Sequence, residues 1–212
     1  LRGEAPEQEN DTIISRELLE KYINYVPIDD KILNSKEIQI GVDVARFGDD
    51  STIMYVKQGN YIIEEIKLDK KDTMQTANRV ARIVNEYSQN DIVAKIDGVG
   101  VGGGVIDRLA ELQFPNLNII EIQNNARAFN ENEYCNAITE MFYEFNEFLK
   151  RGFVSMPDDS ELIEDLAGRK YEFDSKGRLR IESKDEFKKR FGRSPDKGDA
   201  FLMTWYNNED LT

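Results

Sequence analysis

Three aspartates stand where a carboxylate either costs stability or does chemistry. Asp43 lies between Val42 and Val44 in the most hydrophobic stretch of the chain. Asp97 closes the apolar run 92–96 just ahead of a glycine cluster, and Asp199 follows Ser194-Pro195, with Asp196 three residues before it. An ionised side chain inside an apolar strand is unfavourable unless it is compensated. Taken singly, each has a plain reading: Asp43 on the outer face of a half-exposed strand, Asp97 in a strand-end turn, Asp199 as a helix N-terminal charge favoured by the dipole. Brought together, three carboxylates repel one another unless divalent cations lie between them. A pair of such ions can activate water, orient a phosphodiester and stabilise the leaving oxygen. The chain has no histidine and a single cysteine, Cys135. That excludes an imidazole general base, a Ser-His-Asp triad and a His- or Cys-held zinc or iron–sulfur site, and leaves oxygen ligands for hard ions such as Mg²⁺ or Mn²⁺.

The elements that must position these residues are legible from periodicity. Residues 37–45, 51–57 and 61–68 are β-patterned and separated by Gly48-Asp49-Asp50 and Gly59-Asn60, which predicts an antiparallel meander. Met74, Ala77, Val80, Ala81, Val84 and Tyr87 share one helical face after the caps Asp72 and Thr73. A short strand over 92–96, a glycine-opened helix through Val105, Ile106 and Leu109, a fifth strand over 118–122 and a long helix over 132–150 follow. The order predicts an α/β fold: a mixed five-stranded sheet, three antiparallel strands then parallel ones, flanked by helices. Strands one and four would then be adjacent and parallel, with Asp43 beside Asp97 and the final helix bringing in Asp199. Beyond a short helix over 160–166, strands 170–173 and 178–181 flank a four-residue loop, an extra β-hairpin. Residues 1–30 are polar and acidic apart from one helical pattern, Leu18, Leu19, Tyr22 and Ile23 behind Ser15. They read as a connector, with 31–212 as the domain proper.

Net charge is −13, from 28 basic and 41 acidic residues, which argues against general affinity for nucleic acid. The charge is uneven: residues 169–197 hold eleven basic and six acidic side chains, a local +5. No apolar run reaches the ~18–20 residues of a membrane span, and no signal-peptide layout is present at residues 1–11.

The stretch Ile40-Gly41-Val42-Asp43-Val44-Ala45-Arg46-Phe47-Gly48-Asp49-Asp50-Ser51-Thr52 resembles the first-strand motif of the nuclease domain of tailed-bacteriophage terminase large subunits. Lys95-Ile96-Asp97-Gly98-Val99-Gly100-Val101-Gly102 is similar to that family's second carboxylate motif, and Ser194-Pro195-Asp196-Lys197-Gly198-Asp199-Ala200 to its third. Gly3-Glu4-Ala5-Pro6 and Ile13-Ile14-Ser15 resemble the passage joining the family's ATPase to its nuclease, so that residues 1–30 would be a connector from an ATPase domain.

The resemblance implies a ribonuclease H-like fold that cuts concatemeric viral DNA with two Mg²⁺ or Mn²⁺ ions and little sequence specificity. Asp43 would be the central, bridging carboxylate, Asp97 the second ligand and Asp199 the third. For Asp196, direct ligation, ligation through water and helix capping all stay open. Arg178, Arg180, Lys188, Lys189 and Arg193 are the candidate DNA contacts, with Arg46 and Lys197 as candidates for neutralising the scissile phosphate. The implied partners are double-stranded DNA, the portal protein, the small terminase subunit and the ATPase domain, with no membrane. The implied setting is the host-cell cytoplasm during phage assembly, and the isolated domain is expected to be a monomer. No G-x-x-x-x-G-K-[ST] motor motif is present.

Two rival readings exist. Gly98-Val99-Gly100-Val101-Gly102-Gly103 matches a dinucleotide-binding fingerprint, with Glu121 placed 21 residues past Gly100 for a ribose, which would make the chain an NAD(P)-dependent oxidoreductase. Against it, the motif follows the fourth strand and not the first. The other rival is a non-catalytic docking module of the packaging machine.

Overall fold

A computed structural model of the chain describes residues 11–25, 35–45, 51–69, 72–152 and 154–206. Its centre is a five-stranded sheet of β1 (Glu37–Asp43), β2 (Ser51–Gln58), β3 (Tyr61–Asp69), β4 (Asp91–Asp97) and β5 (Leu117–Ile122), in the order β3-β2-β1-β4-β5. The β1–β2 and β2–β3 pairs are antiparallel, and β1–β4 and β4–β5 parallel. This is the expected sheet. β1 is central and paired on both sides, which is why it is buried from Ile40 to Asp43, while along the edge strand β3 exposed residues alternate with partly buried ones and only Ile66 is buried.

Strand residues alternate between faces. Ile38, Ile40 and Val42 of β1 face a core shared with α2 (Thr73–Glu86) and α3 (Gly102–Leu112). Asp72 starts α2 with a full capping box to Gln75, as its position ahead of the apolar face foretold. The opposite face carries Gly41 and Asp43 and lies under α4 (Ala137–Arg151), α5 (Ser160–Ala167) and α7 (Asp196–Met203). There Phe201 of α7 meets Tyr55 of β2 and Phe145 of α4 edge to face, at 5.5 and 5.1 Å between ring centres. These contacts clamp the last helix between the sheet and the longest helix.

The small sheet pairs β6 (Tyr171–Phe173) with β7 (Leu179–Ile181). The Asp174 carboxylate closes its turn, accepting the N–H groups of Lys176 at 2.8 Å and Arg178 at 2.9 Å.

Three features differ from the sequence expectation. The long helix starts at Ala137 and not at 132, because Asn136 caps it and residues 133–135 run beside β7, Cys135 N donating to Leu179 O and Leu179 N to Glu133 O. The basic segment after the hairpin contains an unforeseen helix, α6 (Lys184–Phe191), opened by a capping box between Ser183 and Glu186. Third, residues 11–25, assigned by composition to a connector, pack into the domain. α1 (Arg16–Glu20) is capped by Ser15, and Ile14, Leu19 and Tyr22 are buried in the core under α5. Residues 1–10 and 26–34, with Gly3-Glu4-Ala5-Pro6, lie outside the described residues, as do Arg46 and the turn Gly48-Asp49-Asp50.

Candidate active site

In the parallel pair, Val42 of β1 stands opposite Ile96 of β4, so the next residues, Asp43 and Asp97, end their strands side by side. Carboxyl ends of parallel strands are where open α/β sheets place their ligands. Asp43 is only 6% exposed, which removes the outward-pointing reading. Asp97 accepts the Val99 N–H at 3.0 Å. The glycine cluster lets α3 start close against β4: a Cβ on Gly102 would collide with the Asp97 carbonyl oxygen. On the other side, α7 crosses β1 at Gly41 and carries Asp196 and Asp199 in its first turn.

Asp199 is 1% exposed and held from two directions. Its Oδ1 accepts Arg169 Nη1 at 2.9 Å and its Oδ2 accepts Asn124 Nδ2 at 3.2 Å. The equally buried Arg169 also donates Nε and Nη2 to the Glu182 carbonyl, at 3.0 and 2.7 Å. Lys184, at the start of α6, points its ammonium into the group: Nζ lies 3.0 Å from Asp43, 3.1 Å from Asp199 and 3.4 Å from Asp196. The four aspartates, Asn124, Arg169 and Lys184 line one cavity of about 630 Å³.

The carboxylates feel one another. Burial first, then the Asp43 charge, pushes Asp196 up to about 8. Burial, with Asp43 and Asp199 adding to it, pushes Asp97 up to about 6 against the opposing pull of the Val99 N–H and Lys184. Burial opposes the charge on Lys184, yet Asp43, Asp199 and Asp196 together hold its pKa well above the usual lysine value. In the folded site Lys184 therefore partly neutralises these carboxylates. As the side chains stand, no group of three acidic residues among the described residues is gathered closely enough to hold a metal ion. The donor set nonetheless fits hard cations: it is all oxygen, mutually repulsive, and includes a buried Asn124 Oδ1 with no hydrogen-bond partner.

The basic candidates separate by position. Arg180 and Lys188 line the cavity, and Arg180 pairs with Glu172 across the hairpin. Arg178 is tied to Asp174 at 2.8 Å, and Lys189 borders a different depression, beside Arg190 and Glu186. Arg193 is turned away to Asp165 and to Glu164. Lys197 is paired with Glu65, at 2.7 Å, and with Asp159, and does not line the cavity. The charges of Arg193 and Lys197 are thus taken up by acids nearer in space than the cavity.

Lys184, Arg169 and Asn124 were missed. The capping box Ser183-x-x-Glu186 was a usable signal for α6 and so for Lys184. Nothing local marked Arg169, which meets Asp199 thirty residues further along the chain.

A mixed sheet in this order, with carboxylates ending its first and fourth strands and a third on the helix crossing them, defines a ribonuclease H-like fold. More particularly, it is the fold of terminase nuclease domains. The nuclease domain of the large terminase subunit of bacterial virus Sf6 superposes with a TM-score of 0.75 at 17% identity, covering 92% of this chain and 99% of that one. The large terminase nuclease of thermophilic phage G20c with bound magnesium matches with a TM-score of 0.63 at 15% identity, covering 94% and 98%. The nuclease domain of Thermus phage P74-26 matches with a TM-score of 0.60 at 13% identity, covering 92% and 94%. No protein-family model and no curated protein sequence matches the chain. Among the described residues no helix is long and apolar enough to cross a membrane.

Proposed function

We propose that the chain is a metal-dependent DNA endonuclease that cuts concatemeric viral DNA during genome packaging, by in-line hydrolysis of phosphodiesters with little sequence specificity. The observation that carries this reading is the meeting of Asp43, Asp97, Asp196 and Asp199 in one cavity of a fold shared with terminase nucleases. In this reading Asp43, Asp97 and Asp199 hold two divalent cations, Mg²⁺ or Mn²⁺, and Asp196 assists directly or through water. Bound there, such ions supply an activated water and stabilise the leaving oxygen. Arg169 and Asn124 fix Asp199 so that the carboxylate meets its ligand without reorganising. Lys184 neutralises the acidic cluster in the metal-free protein. Arg180 and Lys188, on the cavity wall, meet backbone phosphates and position the duplex without reading its sequence.

The resemblance in sequence supports double-stranded DNA, the portal protein, the small terminase subunit and an ATPase domain as partners, and the host-cell cytoplasm as the setting. The deciding experiment is nicking and linearisation of supercoiled plasmid with Mg²⁺, Mn²⁺ or EDTA, comparing wild type with Asp43→Ala. Cutting that needs the ion and vanishes in a folded Asp43→Ala variant is the expected result. Cutting in EDTA, or undiminished cutting by the variant, overturns the reading.

A further inference from the structure

The last helix starts without a cap of its own. Its N-cap residue, Pro195, offers no side-chain acceptor to the first turn of α7, where N–H groups lack intrahelical partners. Asp165, on the neighbouring α5, answers one of them: its Oδ2 accepts the backbone N–H of Gly198, the third helical residue, at 3.0 Å. Its Oδ1 takes Nη1 of Arg193. Asp165 is fully buried, at 0% exposure, and the approach is close. A Cβ on Gly198 would lie 2.8 Å from the Asp165 Cβ. Arg193 extends the bracket, donating Nη2 to the Glu164 carboxylate at 2.6 Å and Nη1 to the Ser194 carbonyl at 3.3 Å. Its guanidinium also lies over the Phe187 ring of α6, 5.7 Å from the centre. A single buried carboxylate is thereby linked to both helices that bring charge to the cavity: α7 directly, and α6, which carries Lys184, through Arg193.

We propose that Asp165 is a positioning residue for the candidate active site, capping α7 from outside and so fixing the turn that presents Asp196 and Asp199. The inference rests on the reading of those two as cation-binding carboxylates. Gly198 lies between them in sequence, so a cap at its N–H acts on the one turn whose placement matters to both. Site geometry is sensitive at this scale, since a misplacement of ~1 Å can lower a rate about a hundredfold.

The test uses Asp165→Ala, Asp165→Asn and the double variant Asp165→Ala/Pro195→Asp. The asparagine keeps an oxygen for the Gly198 N–H, and the double variant gives α7 a cap of its own. In the metal-free protein, Asp165→Ala is expected to speed amide exchange at residues 198–200 by about fivefold, the size of an N-cap, beyond any change at residues 38–42 of β1. It is also expected to weaken Mn²⁺ binding, read by titration calorimetry, by a similar factor, and to lower kcat for plasmid nicking with KM for DNA unchanged. Asp165→Asn and the double variant should recover most of each effect. Exchange that rises equally in α7 and β1 shows a merely structural residue and overturns the proposal, as does unaltered Mn²⁺ binding by Asp165→Ala. Wild-type protein that binds no Mn²⁺ sinks the cation-site reading instead, and the capping claim then stands or falls on the exchange alone.

Discussion

Gly41 of β1 and the carbonyl oxygen of Ala200 in α7 touch where a side chain on residue 41 has no room: its Cβ would lie inside the oxygen's contact shell. Asp43 is two residues beyond this contact on the same strand face, and Asp199 is the neighbour of Ala200, so the helix-to-strand approach sets how the two carboxylates meet. Gly41→Ala must push α7 off the sheet. The expected cost is about 1–3 kcal/mol of stability from overpacking. Cutting should fall further than that loss explains, because the population that remains folded carries a displaced Asp199. Gly103→Ala is the control. A Cβ there meets nothing within 4 Å, and replacing a helical glycine should add roughly 0.5–1 kcal/mol while leaving cutting alone. Urea unfolding and plasmid nicking of both variants decide the matter.

Lys184 stands between the carboxylates and any arriving cation. Its pKa is raised in the folded state, so its stabilising contribution is complete below the ordinary lysine value and is lost only as pH climbs past it. At pH 7 Lys184→Ala should therefore cost the metal-free protein roughly 1–3 kcal/mol, a moderate figure because the side chain is 33% exposed. The same variant should bind Mn²⁺ more tightly than wild type, since no ammonium has to be displaced, and should gain more melting temperature from the ion. Weaker Mn²⁺ binding by Lys184→Ala would mean that the ammonium supports the cation site and does not compete with it.

The sheet was readable because its signals are local. Alternation over β1 to β3, the capped face of α2 and the tight links all operate within a few residues, and register then follows from adjacency. Asp43 and Asp97 stood out because each interrupts or ends an apolar pattern, and Asp199 because it opens the last helix behind Ser194-Pro195. Lys184 and Arg169 did not, because both sit in a segment so rich in charge that composition cannot separate a solvated face from a buried pair. For the same reason the ion pairs of Arg193 and Lys197 were not legible in the sequence. Their true partners, Asp165 on α5 and Glu65 on β3, are distant in sequence and meet them only once α7 is docked.

Lys95 lies on the same strand face as Asp97 but deeper, 3% exposed, with its Nζ donating to the Tyr206 carbonyl. Burial, aided by the nearby Lys57 charge, pulls its pKa down to about 7. The native state then binds fewer protons than the unfolded chain between about pH 7 and the ordinary lysine value, so this residue makes stability rise with pH across that window. Asp97 and Asp196, raised to about 6 and about 8, act in the opposite sense above the ordinary carboxylate value, but the comparison of wild type with Lys95→Met cancels them. Lys95→Met should be the more stable protein at pH 6, and its advantage should shrink towards pH 9. The slope it removes is at most about 1.4 kcal/mol per pH unit. Urea midpoints at the two pH values provide the check, and parallel curves would mean that Lys95 titrates normally.

The basic side chains around the hairpin should divide into two groups when DNA binding is measured against salt. Arg180 and Lys188 line the cavity that holds the carboxylates, whereas Arg193 and Lys197 are spent on Asp165, Glu164, Glu65 and Asp159. A phosphate contact releases counterions, so Arg180→Gln or Lys188→Gln should each reduce the slope of log K against log salt by about 1, with the same loss on any sequence. Arg193→Gln and Lys197→Gln should leave the slope alone and lower the melting temperature instead, because each strands an acid that the fold has enclosed. Fluorescence anisotropy of a labelled duplex from low to moderate salt, in Ca²⁺ or EDTA to prevent cutting, separates the groups. A slope change in Lys197→Gln equal to that in Arg180→Gln would place DNA over the α7 side of the domain and not along the hairpin wall.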